Sequence, residues 1–450
     1  MADVLKLNTQ PYTHAFTQRR IFLFWLPLAA SWLLMMSEIP FVNAAIARLP
    51  EAETMIAAFG ITASISITIE SPVIMLLATA TALAAHRPAY LTIRRFTIHL
   101  MWLTTLAQIL LGFTPLYDLV VRSLMGIPPA IAAAAQPGIQ IMTLWSAAIA
   151  WRRFKQGVMI RFGQTRLIGV GTIVRLLASA GTATGLMLWD QVSGVALGSI
   201  ALMMGVLAEM TYTQWASRRA INQLPIIENP QSQVKGANYD LQNLSYRDLL
   251  KYHSPLAAVS LLTLLGQPLI GAALARTANP GPSLAAWPVV FGLIGIFRSF
   301  ALALPEAVIA LQRGPETLAP LRRFCITIGL VTSGLLLLIG LTPLGALYLN
   351  TLIGLAPGLT ALALPGVLLG VGIPFVSCIQ SYWRGVLMGQ RATRAVYLAM
   401  MINLLTLAAA LALGVWLRWP GVQLAIVALT LSLLTEGVYL YWWVSDQVKP

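Results

Sequence analysis

Charge is scarce in this chain, and acid is scarcer than base. Only 10% of the 450 residues are charged, with 15 Asp or Glu against 29 Lys or Arg. An average soluble domain carries about 25% charged residues. With 58% of its residues hydrophobic, a soluble protein of this composition would expose apolar patches and aggregate. An integral membrane protein is the class that remains. The two cysteines, Cys325 and Cys378, lie in apolar runs and cannot build a disulfide framework. The four histidines, His14, His86, His99 and His253, form no zinc-type pair. No Gly-x-x-x-x-Gly-Lys-Ser/Thr loop occurs, which argues against direct nucleotide hydrolysis. The acids outside the apolar runs are scattered, and no nucleophile–base constellation stands out, so an enzyme is not expected. Repeated filter loops of a channel are missing too. No cleavable signal peptide is expected, because Met1 to Arg20 is polar and the apolar run that follows is of full membrane length.

What is present is membrane-length apolar sequence. A helix needs about 20 apolar residues to cross the hydrocarbon. Twelve segments qualify, at roughly 21–47, 54–85, 94–120, 128–151, 165–189, 193–216, 249–275, 284–312, 322–348, 355–382, 393–416 and 421–444; they are called spans 1 to 12 below. Of the 29 basic residues, 23 fall on one side of these spans and four (Arg48, Arg122, Arg276 and Arg418) on the other, with Arg175 and Arg298 inside spans. This bias predicts a multi-pass plasma (inner) membrane protein with both termini cytoplasmic. It also accounts for the net charge of +14 without a nucleic-acid partner. The expected partners are the lipid bilayer and a small organic solute, and the expected state is a monomer.

The chain also repeats itself. Shifted by 228 positions, Leu26–Arg48 matches Ser254–Arg276 at 11 of 23 residues. The register persists through Arg94-Arg95-Phe96 and Arg322-Arg323-Phe324, Thr114-Pro115-Leu116 and Thr342-Pro343-Leu344, and Thr165-Arg166 and Thr393-Arg394. Six spans per copy make the repeats parallel. The fold expected is an all-α integral membrane protein of twelve transmembrane helices in two pseudo-twofold-related six-helix bundles. Its parts are an N-terminal tail (1–20), an N-lobe (21–216), a polar cytoplasmic linker (217–248), a C-lobe (249–445) and a short C-terminal tail (446–450). Duplicated bundles of this kind place the substrate path between the repeats.

Seven ionisable residues lie inside spans: Glu38, Glu70, Arg175, Glu209, Arg298, Glu306 and Glu436. A charge at mid-bilayer costs at least ~2.5 kcal/mol and normally faces a cavity or a partner. Glu38 lies beside Pro40, and its repeat counterpart is Gly266, so it belongs to one lobe only. It is the first candidate for coupling to a proton or to Na+, with Glu70 and Asn43 beside it in that role. Apart from such an ion, no cofactor is expected. Glu70 and Arg298 occupy equivalent repeat positions with opposite signs, which suggests approach across the cleft as a gate or as opposed walls of a site. Arg298, Arg175, Gln267 and Glu306 are the candidates for the substrate cavity or gate. Glu209 and Glu436, near the ends of their lobes, suit pairing with basic residues at the rim. Pro27, Pro40, Pro255 and Pro268 mark expected bends in spans 1 and 7, since an interior proline removes a backbone hydrogen bond.

Twelve spans as two parallel repeats, with Glu38-Ile39-Pro40-Phe41-Val42-Asn43 and then Arg48-Leu49, resemble the DinF-like branch of the multidrug and toxic compound extrusion (MATE) family. That family lies within the multidrug/oligosaccharidyl-lipid/polysaccharide (MOP) flippase superfamily. The resemblance implies a secondary exporter working by alternating access, in antiport with H+ or Na+, with Glu38 at the coupling position. Pro374-Phe375-Val376, Arg384-Gly385-Val386-Leu387-Met388 and Glu436 also resemble the progressive-ankylosis branch, which implies anion export. A lipid-linked oligosaccharide flippase of the same superfamily and, from a different class, a membrane-embedded transferase are the remaining alternatives.

Overall fold

A computed structural model describes residues 17–225, 244–312, 314–390 and 392–447. Most of the N-terminal tail, the middle of the linker, the last three residues, and with them Lys6, Lys235, Arg313, Arg391 and Lys449, lie outside the described residues. Ten helices among the described residues are long and apolar enough to cross a membrane, and a pair bent by 40°, Pro357–Leu369 with Gly372–Gly389, makes an eleventh span. The remaining span is Pro129–Ile141 continued by Trp145–Arg161. Its second half carries Arg152, Arg153 and Lys155 and is therefore not apolar by composition. No strand occurs among the described residues. Lipid offers the backbone no hydrogen-bond partner, so each crossing segment satisfies its own amides as a helix.

Spans 3 and 9 begin and end earlier than expected, as Arg87–Phe113 and Pro315–Leu341. Thr114-Pro115 and Thr342-Pro343 stop them. The residue before a proline is driven out of the α region, and Thr114 and Thr342 are extended, with ψ of 168° and 167°. The residues 115–120 and 343–348 therefore leave the spans, and short wide helices, Asp118–Leu124 and Leu347–Ile353, follow. Spans 4 and 10 run on to Arg161 and Gly389. This brings Arg152, Lys155 and Arg384, placed with the loop cations by their charge, inside helices.

Helix Gln18–Ile46 runs unbroken through Pro27 and Pro40. Span 7 passes through Pro255 but breaks at Leu265, three residues before Pro268. Spans 2 and 8 also break, at Glu70 and Met75 and at Ala303. Met75 and Ala303 are repeat equivalents, and Pro72 and Pro305 follow or sit beside the breaks.

The first halves of spans 1 and 7 cross over to pack on the opposite bundle. Trp25 donates its indole N–H to the Phe300 carbonyl (3.2 Å) and meets Phe324 edge-on at 5.4 Å. Its repeat equivalent His253 bonds the Pro72 carbonyl (2.9 Å) and meets Phe96 edge-on at 5.0 Å. These contacts correspond pair for pair at the offset of 228. The pseudo-twofold axis passes near Gly60 and Pro288, also equivalents. A Cβ on Gly60 would lie 2.6 Å from Pro288 Cγ, so spans 2 and 8 touch backbone to ring.

Candidate functional site

Where spans 1, 2, 7 and 8 meet they line a partly open pocket of about 130 Å³. Ile39, Pro40 and Ile61 wall one side; Trp287 and Phe291 wall the other, stacked at 5.3 Å. Ser64 and Gln267 supply the side-chain polarity, and no ionisable side chain lines the wall. Gln267 Oε1 accepts from the Trp287 indole N–H at 3.2 Å. Drug-sized ligands occupy pockets of about 300–1,000 Å³. The cavity is thus large enough for one ring and must widen for anything bigger.

Beside it, inside the first bundle, lies a buried ionic network. Arg175 grips Glu38 with two parallel hydrogen bonds, Nε to Oε1 at 3.1 Å and Nη2 to Oε2 at 2.6 Å. Glu38 lies on span 1 and Arg175 on span 5, and their side chains are 4% and 12% exposed. Arg175 also reaches to 3.9 Å from Glu209 of span 6. Glu209 is held chiefly by Arg152, in a direct ion pair, and by Gln156 Nε2 at 3.0 Å. Glu70 sits at the break in span 2 within the field of Arg152, Arg175 and Arg153. Its Oε2 has no hydrogen-bond partner among the described residues, and the Trp145 indole lies beside it without closing a well-formed bond. The side-chain amide of Asn43 and the Ser179 hydroxyl, both buried, are likewise without partners among the described residues.

The second bundle holds the counterpart. Glu436 accepts from Arg384 (Nε, 2.7 Å) and from Asn403 Nδ2 (2.9 Å). Arg298 donates from Nε to Ser377 Oγ at 3.1 Å, and the charges that act on it are Arg384 and Glu436. The approach of Glu70 and Arg298 across the cleft, expected from their repeat positions, does not occur. Each faces the charges of its own bundle, because the contact between spans 2 and 8 is made by the Gly60–Pro288 turn and not at their level.

No protein-family model matches the sequence, and no curated protein matches it. Solved structures do. An inward-facing multidrug-resistance MATE transporter of the MOP superfamily superposes with a TM-score of 0.67 at 12% identity, covering 94% of this chain and 97% of its own. The lipid II flippase MurJ, in an inward-closed conformation, gives 0.68 at 11% identity over 92% of this chain and 86% of its own. A MOP superfamily transporter from Pyrococcus furiosus, described as having a binding pocket of reverse polarity, gives 0.62 at 13% identity over 94% and 95%. The chain has the fold of the MATE transporters. It is a multi-pass membrane protein of twelve helices in two bundles.

Within this MATE fold the expected site residues separate. Gln267 and Pro40 line the central cavity. Glu38, Arg175 and Glu70 form the network beside it, and Asn43 is buried in the second half of span 1. Arg298 lies in the second bundle's cluster, while Glu306 is exposed on Leu304–Leu311. Glu209 and Glu436 do pair with arginines, Arg152 and Arg384, but inside the bundles and not at the rim. Arg152 and Gln156 were missed by hydropathy. The signal that finds Gln156 is register: Gln156 and Arg384 are repeat equivalents, each bonded to its bundle's glutamate; Arg152, whose equivalent is Gln380, has no such signal.

Proposed function

We propose that the protein is a secondary active exporter that works by alternating access, moving an organic solute out in exchange for protons or sodium ions that enter down their gradient. The observation that carries this reading is the small pocket walled by equivalent helices of both repeats, with a buried Glu38–Arg175 pair beside it that has no counterpart in the second repeat. Rocking of two bundles widens such a cavity towards either face in turn. The wall is apolar and aromatic, so it suits a neutral or lipophilic solute, or a delocalised organic cation lying over Trp287, since cations bind indole faces favourably. An anion or a lipid diphosphate finds no basic side chain on this wall, which ranks the anion-exporter and flippase readings lower.

Coupling follows from the network. Protonating Glu38 would remove the charge that holds Arg175, and the guanidinium, already near Glu209, would transfer to that side. Span 1 would then be free to move relative to span 5. Sodium binding between Glu38, Asn43 and Glu70 would act in the same direction. A ligand shifts such an equilibrium only by its differential affinity for the two states. The test is transport in proteoliposomes under an imposed pH or sodium gradient, comparing the parent with Glu38→Gln and Glu70→Gln. Gradient-driven accumulation that disappears in Glu38→Gln supports the assignment. Normal coupling in both variants removes these two residues from it, and product formation without any gradient would point to the transferase.

A further inference from the structure

Four arginines lie on the face opposite the bulk of the basic residues, and two of them tie the bundles together. Arg48, at the end of span 1, donates from Nη1 to the Ile353 carbonyl (3.1 Å) and from Nη2 to those of Leu352 (2.9 Å) and Thr351 (3.2 Å). Arg276, at the end of span 7, donates from Nη1 to the Met125 carbonyl and from Nη2 to that of Leu124, at 2.6 and 2.7 Å. Each guanidinium also bonds a carbonyl one turn back on its own helix, Ala44 and Ala272. Except for Thr351, every partner corresponds at the offset of 228: Arg48 with Arg276, Leu124 with Leu352, Met125 with Ile353 and Ala44 with Ala272.

The acceptors are not arbitrary. They are the last carbonyls of the short helices Asp118–Leu124 and Leu347–Ile353 and of the residue after the first of these. A helix C-terminus presents unsatisfied carbonyls with partial negative charge. The planar guanidinium offers several donors in a fixed fork, which an ammonium does not. Gly126 and Gly354 follow, both left-handed with φ of +71° and +88°. A Cβ on Gly126 would lie 3.4 Å from the Arg276 guanidinium, and one on Gly354 would lie 3.6 Å from Arg48 Nη1. Glycine therefore meets two demands there, the turn and the close approach of the arginine.

We propose that Arg48 and Arg276 form a twofold-symmetric clasp that latches this face of the cleft shut and sets how often it opens during transport. The inference rests on the alternating-access reading given above. Opening this face must separate span 1 from Leu347–Ile353 and span 7 from Asp118–Leu124, breaking both arms. Because the acceptors are main-chain atoms, the clasp needs from sequence only the two arginines and the two glycines that admit them. The two arms lie on opposite sides of the axis and share no partner, so their effects should add.

The test uses the full chain in nanodiscs, spin-labelled at Glu53→Cys and Ala356→Cys. These positions are exposed on the clasp face and line one crevice across the seam between the bundles. Both native cysteines are fully buried and stay unlabelled. Double electron–electron resonance should give one short separation in the parent. Arg48→Gln or Arg276→Gln alone should raise the population of a longer separation about tenfold, and the double variant roughly a hundredfold. A distribution unchanged in the double variant overturns the clasp. Should the glutamine pair fail to fold, Arg48→Lys with Arg276→Lys, which keeps charge but loses the fork, should still open the seam in part; an unchanged distribution there overturns it equally. The distance measurement needs no substrate or gradient. Absence of gradient-driven transport in the parent would overturn the exporter reading alone.

Discussion

The Arg175–Glu38 pair gives a quantitative test of the buried network. Arg175 supplies both hydrogen bonds that Glu38 makes among the described residues, and the two side chains are 12% and 4% exposed. Arg175→Met leaves a carboxylate buried against Ser179, Gly205 and the wall of span 6 with no compensating charge in contact. Stranding one member of a buried ion pair costs about 3–5 kcal/mol. Glu209 loses less, because Arg152 and Gln156 remain on it. The double variant Glu38→Gln/Arg175→Met removes the stranded charge and keeps similar volumes, and pairs replaced in this way are often neutral or nearly so. The expected pattern is a loss of about 3–5 kcal/mol for Arg175→Met, with more than half recovered in the double variant. SDS-unfolding titration in mixed micelles, followed by tryptophan emission, reads both values. A single variant within about 1 kcal/mol of the parent, or a double variant no more stable than Arg175→Met, would refute the argument that this pair is charged and tightly coupled.

Three further outcomes are expected. Exchanging charges, Glu70→Arg with Arg298→Glu, should not rescue the loss caused by either change alone, because each group answers to its own bundle; recovery of monodisperse, stable protein would show that they meet. Lys155 is buried against Tyr90, Trp151 and Phe154 and bonds only the Tyr90 hydroxyl (2.8 Å) among the described residues, so Lys155→Met should change stability by less than about 1 kcal/mol, whereas Arg152→Met should lower it by about 3 kcal/mol by stranding Glu209; the same titration ranks them. Gly60→Ala should cost about 1–3 kcal/mol by pressing a methyl into the Pro288 ring, while Gly295→Ala, with nothing within 4 Å of its new Cβ, should be neutral or slightly stabilising, and equal effects at the two sites would refute the close approach at the axis.

The duplication carried most of the fold. Because Thr114-Pro115 and Thr342-Pro343 recur in register, the spans, their parallel order and their equivalence could be read without coordinates. Span ends were less legible. Hydropathy counts Arg152, Lys155 and Arg384 as loop residues, but an ion pair or an aromatic cage lets a helix bury them, and only the third dimension supplies those partners. The breaks at Met75 and Ala303 fall outside the prolines that the sequence emphasised, and Pro27, Pro40 and Pro255 sit within helices that continue through them. Of the site, Glu38 and Gln267 were legible as polar residues in apolar spans. That Glu38 is gripped by Arg175 was not, because the two are 137 positions apart in sequence. The one-residue slip that puts Glu436 at an offset of 227 from Glu209 lies in a turn. The left-handed residues Asp190 and Arg418 keep the offset of 228, and the helices that follow, starting at Gly194 and Gly421, do not.

Comparing the two bundles position by position shows how one copy acquired an ion pair, Glu38–Arg175, that the other lacks. Both keep the glutamate of the last span, Glu209 or Glu436. The cation that neutralises it comes from different places: from Arg152 in the first bundle, whose counterpart is Gln380, and from Arg384 in the second, whose counterpart is Gln156. In each case an amide fills a remaining acceptor, Gln156 in one and Asn403 in the other. Burial therefore demands one carboxylate, one guanidinium and one amide; the guanidinium comes from equivalent helices one turn apart, and the amide from different ones. Arg175 stands where Asn403 stands. With Arg152 already on Glu209, Arg175 is released from that duty and turns to Glu38, which exists only in this copy because the equivalent residue is Gly266. An acid on span 1 is thus tolerable only where span 5 has a spare arginine, and a spare arginine only where span 4 has taken over its glutamate. The second bundle meets only the latter condition: Arg384 of span 10 holds Glu436, but span 11 carries Asn403 where Arg175 stands, and its surplus guanidinium, Arg298, rests on a serine instead.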